Sequence, residues 1–259
     1  MTDTDPILYA CDDGVAVATL NRPDKFNCVS SAMFAGLDAA LDAAEADGAR
    51  AMVVQAEGPH FCTGADLDEV LAARADPAVL AAFMATGHRV LRRLETAPLP
   101  VVAAVQGLAL AGGLELALSC DVVFLAAGGR MGDQHAQFGL IPGWGGSQRL
   151  PRLVGRRRAL DLMYSARWLD AETALAWGLA NYVVPDGELR DAALAYARQA
   201  ARRNPEGLRA MKRLALDGLE EGLDAALARE REVAVAALSS DNVGEGLDAF
   251  QTRREPVFK

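Results

Sequence analysis

The sequence predicts an α/β domain that gives way to helices toward its C-terminus. Hydrophobic periodicity switches between two and 3.6 up to about Ala166, and beyond it strand signals nearly vanish apart from "NYVV". With 259 residues, 51% hydrophobic and 24% charged, the chain can bury one sizeable core, or a core with a smaller appendage. It carries no repeat at a solenoid period, no low-complexity tract and no linker that clearly divides independent domains.

Each element follows in order. "ILYACDDGVAVATL" reads as two strands around an Asp-Gly turn. "SSAMFAGLDAALDAAEADG" reads as a helix with a serine cap at its start and Gly48 at its end. "AMVVQA" is a buried strand, Asp66 to Arg74 a short helix, "PVVAAVQG" another buried strand, Gly113 to Ser119 a helix, and "DVVFLA" a strand. Asp186 to Arg203, Pro205 to Leu219, Leu223 to Leu238 and Asp241 to Gln251 read as helices whose apolar stripes must pack on the core or on another chain.

Charge and cysteine content exclude several classes of function. A net charge of −9 argues against a general nucleic-acid binder, which needs a basic face for phosphates. The local exception, "RLPRLVGRRR", reads as a solvated helix face or a subunit contact. Cys11, Cys28, Cys62 and Cys120 form no CxxC pair and have no histidine at ligand spacing, so reduced thiols and no metal site are expected. The acidic start "MTDTDPILYA" lacks signal-peptide character, and Gln106, Glu115 and several prolines and glycines break the most apolar region, Ala97 to Cys120. A cytoplasmic protein without a membrane partner is the expectation.

Two glycine-bearing segments place backbone N–H groups at helix starts: "FCTGADLDEV" near Ala65 and Asp66, and "GLALAGGLELALSCD" near Gly112 and Gly113. Converging starts of this kind would form an oxyanion hole, although Gly-Gly before a helix can also be just a turn. Glu115, on the first turn of an otherwise apolar helix, reads either as a partner for the helix dipole or as a catalytic base whose pKa an apolar site would raise.

The run "LNRPDKFN", "FCTGADLDEV", "VQGLALAGGLELALSCDVVFLA", "FGLIPGWGGSQRLPRLVG", "ALAWGLANYVV" and "AFQTRREPVF" resembles the enoyl-CoA hydratase/isomerase family, the crotonase superfamily, in the right order over essentially the whole chain. The resemblance implies a crotonase-like spiral of ββα units over residues 1–200 carrying an acyl-CoA site, and a C-terminal helical region over 201–259 that mediates trimers, often paired into hexamers. It implies an acyl thioester of coenzyme A as substrate, with the coenzyme part of the substrate and no separate cofactor. By motif match Ala65 and Gly112 donate to the thioester oxygen, stabilising the enolate through which hydration and double-bond migration pass.

Family hydratases add a pair of glutamates, of which one matches Glu115. An ungapped count from Asp121 to Ile141 places His135 where the second glutamate is expected. Three readings follow. His135 replaces the carboxylate as acid/base, a role its ordinary pKa of about 6.5 suits; or Glu115 works alone, in isomerisation or thioester hydrolysis, while His135 shapes the acyl pocket; or His135 is a satisfied loop histidine. Asp133 is the fallback carboxylate if the loop is shifted. Trp144 in "PGWGG" is expected in the acyl pocket, His60 and His88 on the surface or in packing, and Met131 in the core. The coenzyme is expected near Lys25, Phe26, Thr63 and Gly64, with Arg254, Phe258 or Lys259 contributing from a neighbouring subunit. Hydration or dehydration of a 2-enoyl-CoA is the expected activity, with a non-catalytic acyl-CoA binder as the reading of another class. A binder, however, has no need of a buried carboxylate.

Overall fold

An Asp-Gly turn reverses the chain at the outset: Asp13 and Gly14 take φ of +46° and +72°, the left-handed pair that a two-residue hairpin needs. The computed structural model describes residues 5–259, and β1 (Ile7–Asp12) and β2 (Val15–Leu20) pair antiparallel across this turn. The remaining strands are β3 (Ala51–Ala56), β4 (Val101–Val105), β5 (Leu108–Leu110), β6 (Val122–Ala126), β7 (Arg130–Gly132), β8 (Leu169–Asp170) and β9 (Tyr182–Val184). The helices are α1 (Ser31–Ala46), α2 (Leu67–Ala73), α3 (Pro77–Thr96), α4 (Gly112–Ala117), α5 (Gly146–Val154), α6 (Arg156–Ser165), α7 (Ala171–Trp177), α8 (Leu189–Ala201), α9 (Pro205–Gly218), α10 (Leu223–Leu238) and α11 (Asp241–Thr252).

Six strands form the main sheet in the order β1-β2-β3-β4-β6-β9, parallel from β2 onward. Its strands read as nearly unbroken apolar runs because both faces are covered. Alternation still sorts the side chains: Met52, Val54 and Ala56 of β3 point into the main core, whereas Ala51 and Val53 point to the other face. There α8 lies on the sheet through Leu189, Ala193, Ala197 and Ala201, a four-residue repeat of mostly small side chains that lets helix and sheet approach closely.

On the inner side, α1 is capped by the Ser30 hydroxyl, which accepts the Met33 N–H at 3.2 Å. It buries Met33, Phe34, Leu37 and Leu41 against the core. The smaller sheet, β5-β7-β8, stands beside it. Bridges between Val29 and Ala65 and between Cys62 and Ala109 stitch the glycine-bearing loops to this layer. The four cysteines are free, and burial pushes the Cys62 and Cys120 thiols up to about 12.

One expectation changes. The helix expected over Asp186 to Arg203 is a short 3₁₀ turn followed by α8. Along the basic stretch Arg152, Arg156, Arg157 and Arg158 are exposed as a solvated face requires, and only Arg149 departs from it: largely buried, it gives two hydrogen bonds to Glu95 and donates to the Trp144 carbonyl at 2.8 Å, bracing the loop ahead of α5. At the C-terminus, α9 and α10 bury no residue in this single chain. Leu219, Leu223, Leu227, Val235, Leu238 and Phe250 stand exposed there. None of the described helices is long and apolar enough to cross a membrane.

Candidate active site

Sheet pairing leaves the Ala65 amide unused. Val29 donates to the Gly64 carbonyl at 2.7 Å and accepts from Asp66 N–H at 2.8 Å. In a parallel bridge the residue between those two turns its own N–H to the opposite side. Gly64 makes this possible with φ of +118°, and a Cβ there would lie 3.2 Å from that of Ala111, so the loop before α2 runs directly against the loop before α4. Gly112 is the first residue of α4, where N–H groups have no intrahelical acceptor. The two amides expected to face a common oxygen therefore lie on touching segments. Ala111 between them carries φ of +50°, a left-handed strain of about 1–3 kcal/mol for a non-glycine residue.

One turn into α4, Glu115 is 1% exposed. Its Oε1 accepts the amides of Trp144 at 2.8 Å and Gly146 at 2.7 Å, while Oε2 has no partner. Gly146 lets the carboxylate sit close, since a Cβ there would come 3.1 Å from Glu115 Oε1, a tight contact. Burial raises the Glu115 pKa above the ordinary carboxylate value, and the amides of Gly146 and Trp144 together with His135 offset only part of that. A partnerless carboxylate oxygen in a buried site is poised to take a proton.

Across from it stands His135, 8% exposed, with Nε2 3.8 Å from Glu115 Oε2 and Nδ1 3.1 Å from Asp133 Oδ1. The first separation is too long for a direct hydrogen bond. Burial alone would push the imidazole down, but the hydrogen bond and charge of Asp133, with Glu115 beside it, hold it above its ordinary value. Asp133, the fallback carboxylate for a shifted loop, sits behind His135 and is itself 1% exposed.

Of these groups His135 and Ala65 line a cleft of about 450 Å³, together with Lys25, Phe26, Thr63, Gly64, Asp66 and Ala111, whereas Glu115, Asp133 and Gly112 are not in its walls. Lys25 is exposed and pairs with Asp68 at 3.0 Å. Phe26, at φ of +53°, rests against the His60 ring with centroids 5.5 Å apart. Asp66 caps α2 and pairs with Arg22 at 2.8 Å, fixing the loop that carries Ala65. The C-terminal candidates lie elsewhere in the chain: Arg254 binds Glu245 and Asp248, the Phe258 carbonyl accepts from Arg50, and Lys259 N–H donates to Asn242.

Trp144 is a layer deeper than expected. Only 3% exposed, its indole stacks edge-on with Phe34 and Phe83 and fills a slot left by two glycines. A Cβ on Gly87 or Gly112 would come within 2.3 Å and 2.5 Å of it, so the ring backs Gly112 rather than walling the open cleft. The apolar wall is made by Leu110, Phe138, Leu140 and Trp168, which sequence reasoning missed. Leu110 is a buried residue at the end of β5, indistinguishable in sequence from core, and the exposed Phe138, Leu140 and Trp168 carry no burial signal; only nearness to the "IPG" turn could have pointed to Phe138 and Leu140. His88 is exposed and Met131 fully buried, both without a chemical role.

Fold and site together define an α/β protein in which a buried carboxylate and an imidazole meet beside an open cleft. The family model described as Enoyl-CoA hydratase/isomerase matches residues 10–259. Methylglutaconyl-CoA hydratase of Mus musculus is 36% identical over 252 residues, covering 95% of this chain and 80% of that one. The short-chain-enoyl-CoA hydratase of Clostridium acetobutylicum is 34% identical over 243 residues, covering 93% and 92%. A crystal structure of an enoyl-CoA hydratase from Polaromonas sp. JS666 superposes with a TM-score of 0.94 at 32% identity, covering 98% and 99%. The chain belongs to the enoyl-CoA hydratase/isomerase family and has the crotonase fold.

Proposed function

We propose that the protein adds water reversibly to a 2-enoyl-CoA, with Glu115 and His135 as a carboxylate–imidazole pair. The observation that carries this reading is the Glu115 carboxylate, buried, gripped through one oxygen and partnerless at the other, with His135 Nε2 facing it at 3.8 Å. Hydration needs a base and an acid at one place, and neutral isosteres would suffice for binding alone.

The steps follow from the groups. The Glu115 carboxylate takes a proton from water as the water oxygen bonds to the β-carbon. The π electrons shift toward the thioester oxygen, where the Ala65 and Gly112 amides hold the enolate charge in a site screened from bulk water. As the enolate collapses, the imidazolium of His135 gives its proton to the α-carbon. The proton on Glu115 then passes to His135, restoring both groups. Their raised pKa values suit this exchange, because each keeps its proton longer than an exposed counterpart would.

The coenzyme lies along Lys25, Phe26, Thr63 and Gly64 in the wall of the cleft. The core over 1–200 carries the site. The helical region over 201–259 covers its exposed leucines and Phe250 in a homotrimer, or a dimer of trimers, of a cytoplasmic protein; light scattering in solution checks the copy number. Mass-spectrometric turnover of 2-enoyl-, 3-enoyl- and 3-hydroxyacyl-CoA thioesters tests the activity. Water should be gained or lost by the wild type, the reaction abolished in Glu115→Gln and strongly reduced in His135→Ala. Double-bond migration without water exchange would replace the reading with isomerisation, release of free coenzyme A with hydrolysis, and binding without turnover with a non-catalytic role.

A further inference from the structure

His135 is held from behind by a segment whose backbone is strained and whose Asp133 uses one carboxylate oxygen on the imidazole while the other, Oδ2, is buried without a partner. β7 ends at Gly132, and Asp133 follows with its side chain buried. The next residue, Gln134, adopts φ of +60°, so that the His135 N–H turns back to the Asp133 carbonyl at 2.8 Å. Such a conformation in a non-glycine residue persists only where its surroundings determine it. Here they do: the Gln134 amide donates to the Ala166 carbonyl at 3.1 Å and its Oε1 accepts from the Trp168 indole N–H. The result brings Asp133 Oδ1 to 3.1 Å from His135 Nδ1.

A carboxylate can only accept, so the imidazole nitrogen opposite it carries the hydrogen. The proton that comes and goes is then confined to Nε2, the nitrogen facing Glu115. We infer that Asp133 is a positioning residue that holds His135 with its hydrogen on Nδ1, and that the Asp133–Gln134–His135 turn exists to present Nε2 to Glu115 and the reacting atoms. The inference deepens the acid–base reading above and rests on it for its kinetic consequences. The charged and titratable groups facing the His135 ring are Asp133 on its own segment and Glu115 from α4. Asp133→Asn keeps the shape but removes the fixed polarity, because an amide can donate to Nδ1 as well as accept from it.

The experiment is ¹⁵N NMR of histidine-labelled full-length protein together with pH-rate profiles. Three histidines make assignment by a His135→Gln difference spectrum direct. In the wild type, the neutral His135 signal should report hydrogen on Nδ1. In Asp133→Asn it should shift toward a tautomer mixture, the His135 limb of the rate profile should move to lower pH, and kcat should fall about ten- to a hundredfold with KM little changed. Should Asp133→Asn fail to fold, the wild-type spectrum alone decides: hydrogen on Nε2 in the neutral ring overturns the inference. An Asp133→Asn protein with unchanged tautomer, pH limb and kcat also overturns it. If the wild type turns over no hydration substrate while its His135 is found with hydrogen on Nδ1, the hydratase reading fails and the positioning role stands.

Discussion

Replacing Gly112 by alanine tests whether Trp144 and the loop carrying the candidate oxyanion donor are packed as one unit. Gly112 does not use a left-handed conformation, so its backbone tolerates alanine and any penalty arises from contact. The added Cβ would lie 2.5 Å from Trp144 Cζ3 and 2.9 Å from Cε3. The indole cannot retreat: Gly87 already leaves only 2.3 Å for a Cβ at its Nε1 edge, and the Phe34 and Phe83 rings stand 4.9 Å and 5.4 Å away by centroid. Overpacking against rigid neighbours places the penalty at the upper end, about 3 kcal/mol. Trp144→Ala alone should destabilise by about 3–5 kcal/mol through the cavity it leaves. In the double variant the new methyl meets empty space, so the two penalties should fall short of their sum by about 2 kcal/mol or more. Urea unfolding followed by far-UV circular dichroism, at one protein concentration for all four proteins, measures the cycle. Penalties that add to within about 0.5 kcal/mol would refute the slot.

Four further outcomes follow from the geometry. Glu115→Gln should lower hydration by about 10²- to 10⁴-fold in steady-state assays; a loss of stability at pH 8 would instead mark the carboxylate as structural. Because the folded-state pKa values of Glu115 and His135 both lie above their unfolded ones, the native state binds protons more tightly and their contribution to stability declines as pH rises through the raised values. Glu115→Gln should therefore be more stable than the wild type at pH 8 and gain less at pH 4, in unfolding curves at each pH. Gly113→Ala puts a Cβ 2.0 Å from the Cys62 carbonyl oxygen, where only backbone could yield, and should destabilise by more than about 3 kcal/mol by denaturant midpoint. Asp66→Ala removes both the α2 cap and the partner of Arg22; it should lower stability by about 1–2 kcal/mol and raise KM for acyl-CoA more than it lowers kcat.

Much of the fold is readable from local chemistry. The Asp-Gly turn, the serine cap at Ser30 and the four-residue alanine repeat of α8 each state their structure within a few residues. What escapes is long-range. α3, twenty residues long, buries Phe83, Gly87, Val90, Leu91 and Leu94, but a glycine in the middle of that stripe dilutes its periodicity; the glycine is there for Trp144, which lies 57 residues further on. The resemblance brings out Glu115 and His135 by register, yet the placement of Asp133 behind His135 depends on the left-handed turn at Gln134, which no propensity scale assigns to glutamine. The depth of Trp144 is likewise invisible, because a tryptophan between glycines reads equally as a wall or as a plug.

The grip of Glu115 on its neighbours gives chemistry at this site a mechanical side. Its Oε1 ties down the amides of Trp144 and Gly146, and Arg149 fastens the same loop to Glu95 at the end of α3. Bonds to an ionised carboxylate are about twice as strong as those to a neutral one. When a proton arrives on Oε2, the loop is therefore held more slackly, and when it leaves the loop tightens again. In the proposed hydration cycle each turnover would pull once on a tether that reaches from the buried glutamate to Glu95 at the end of α3.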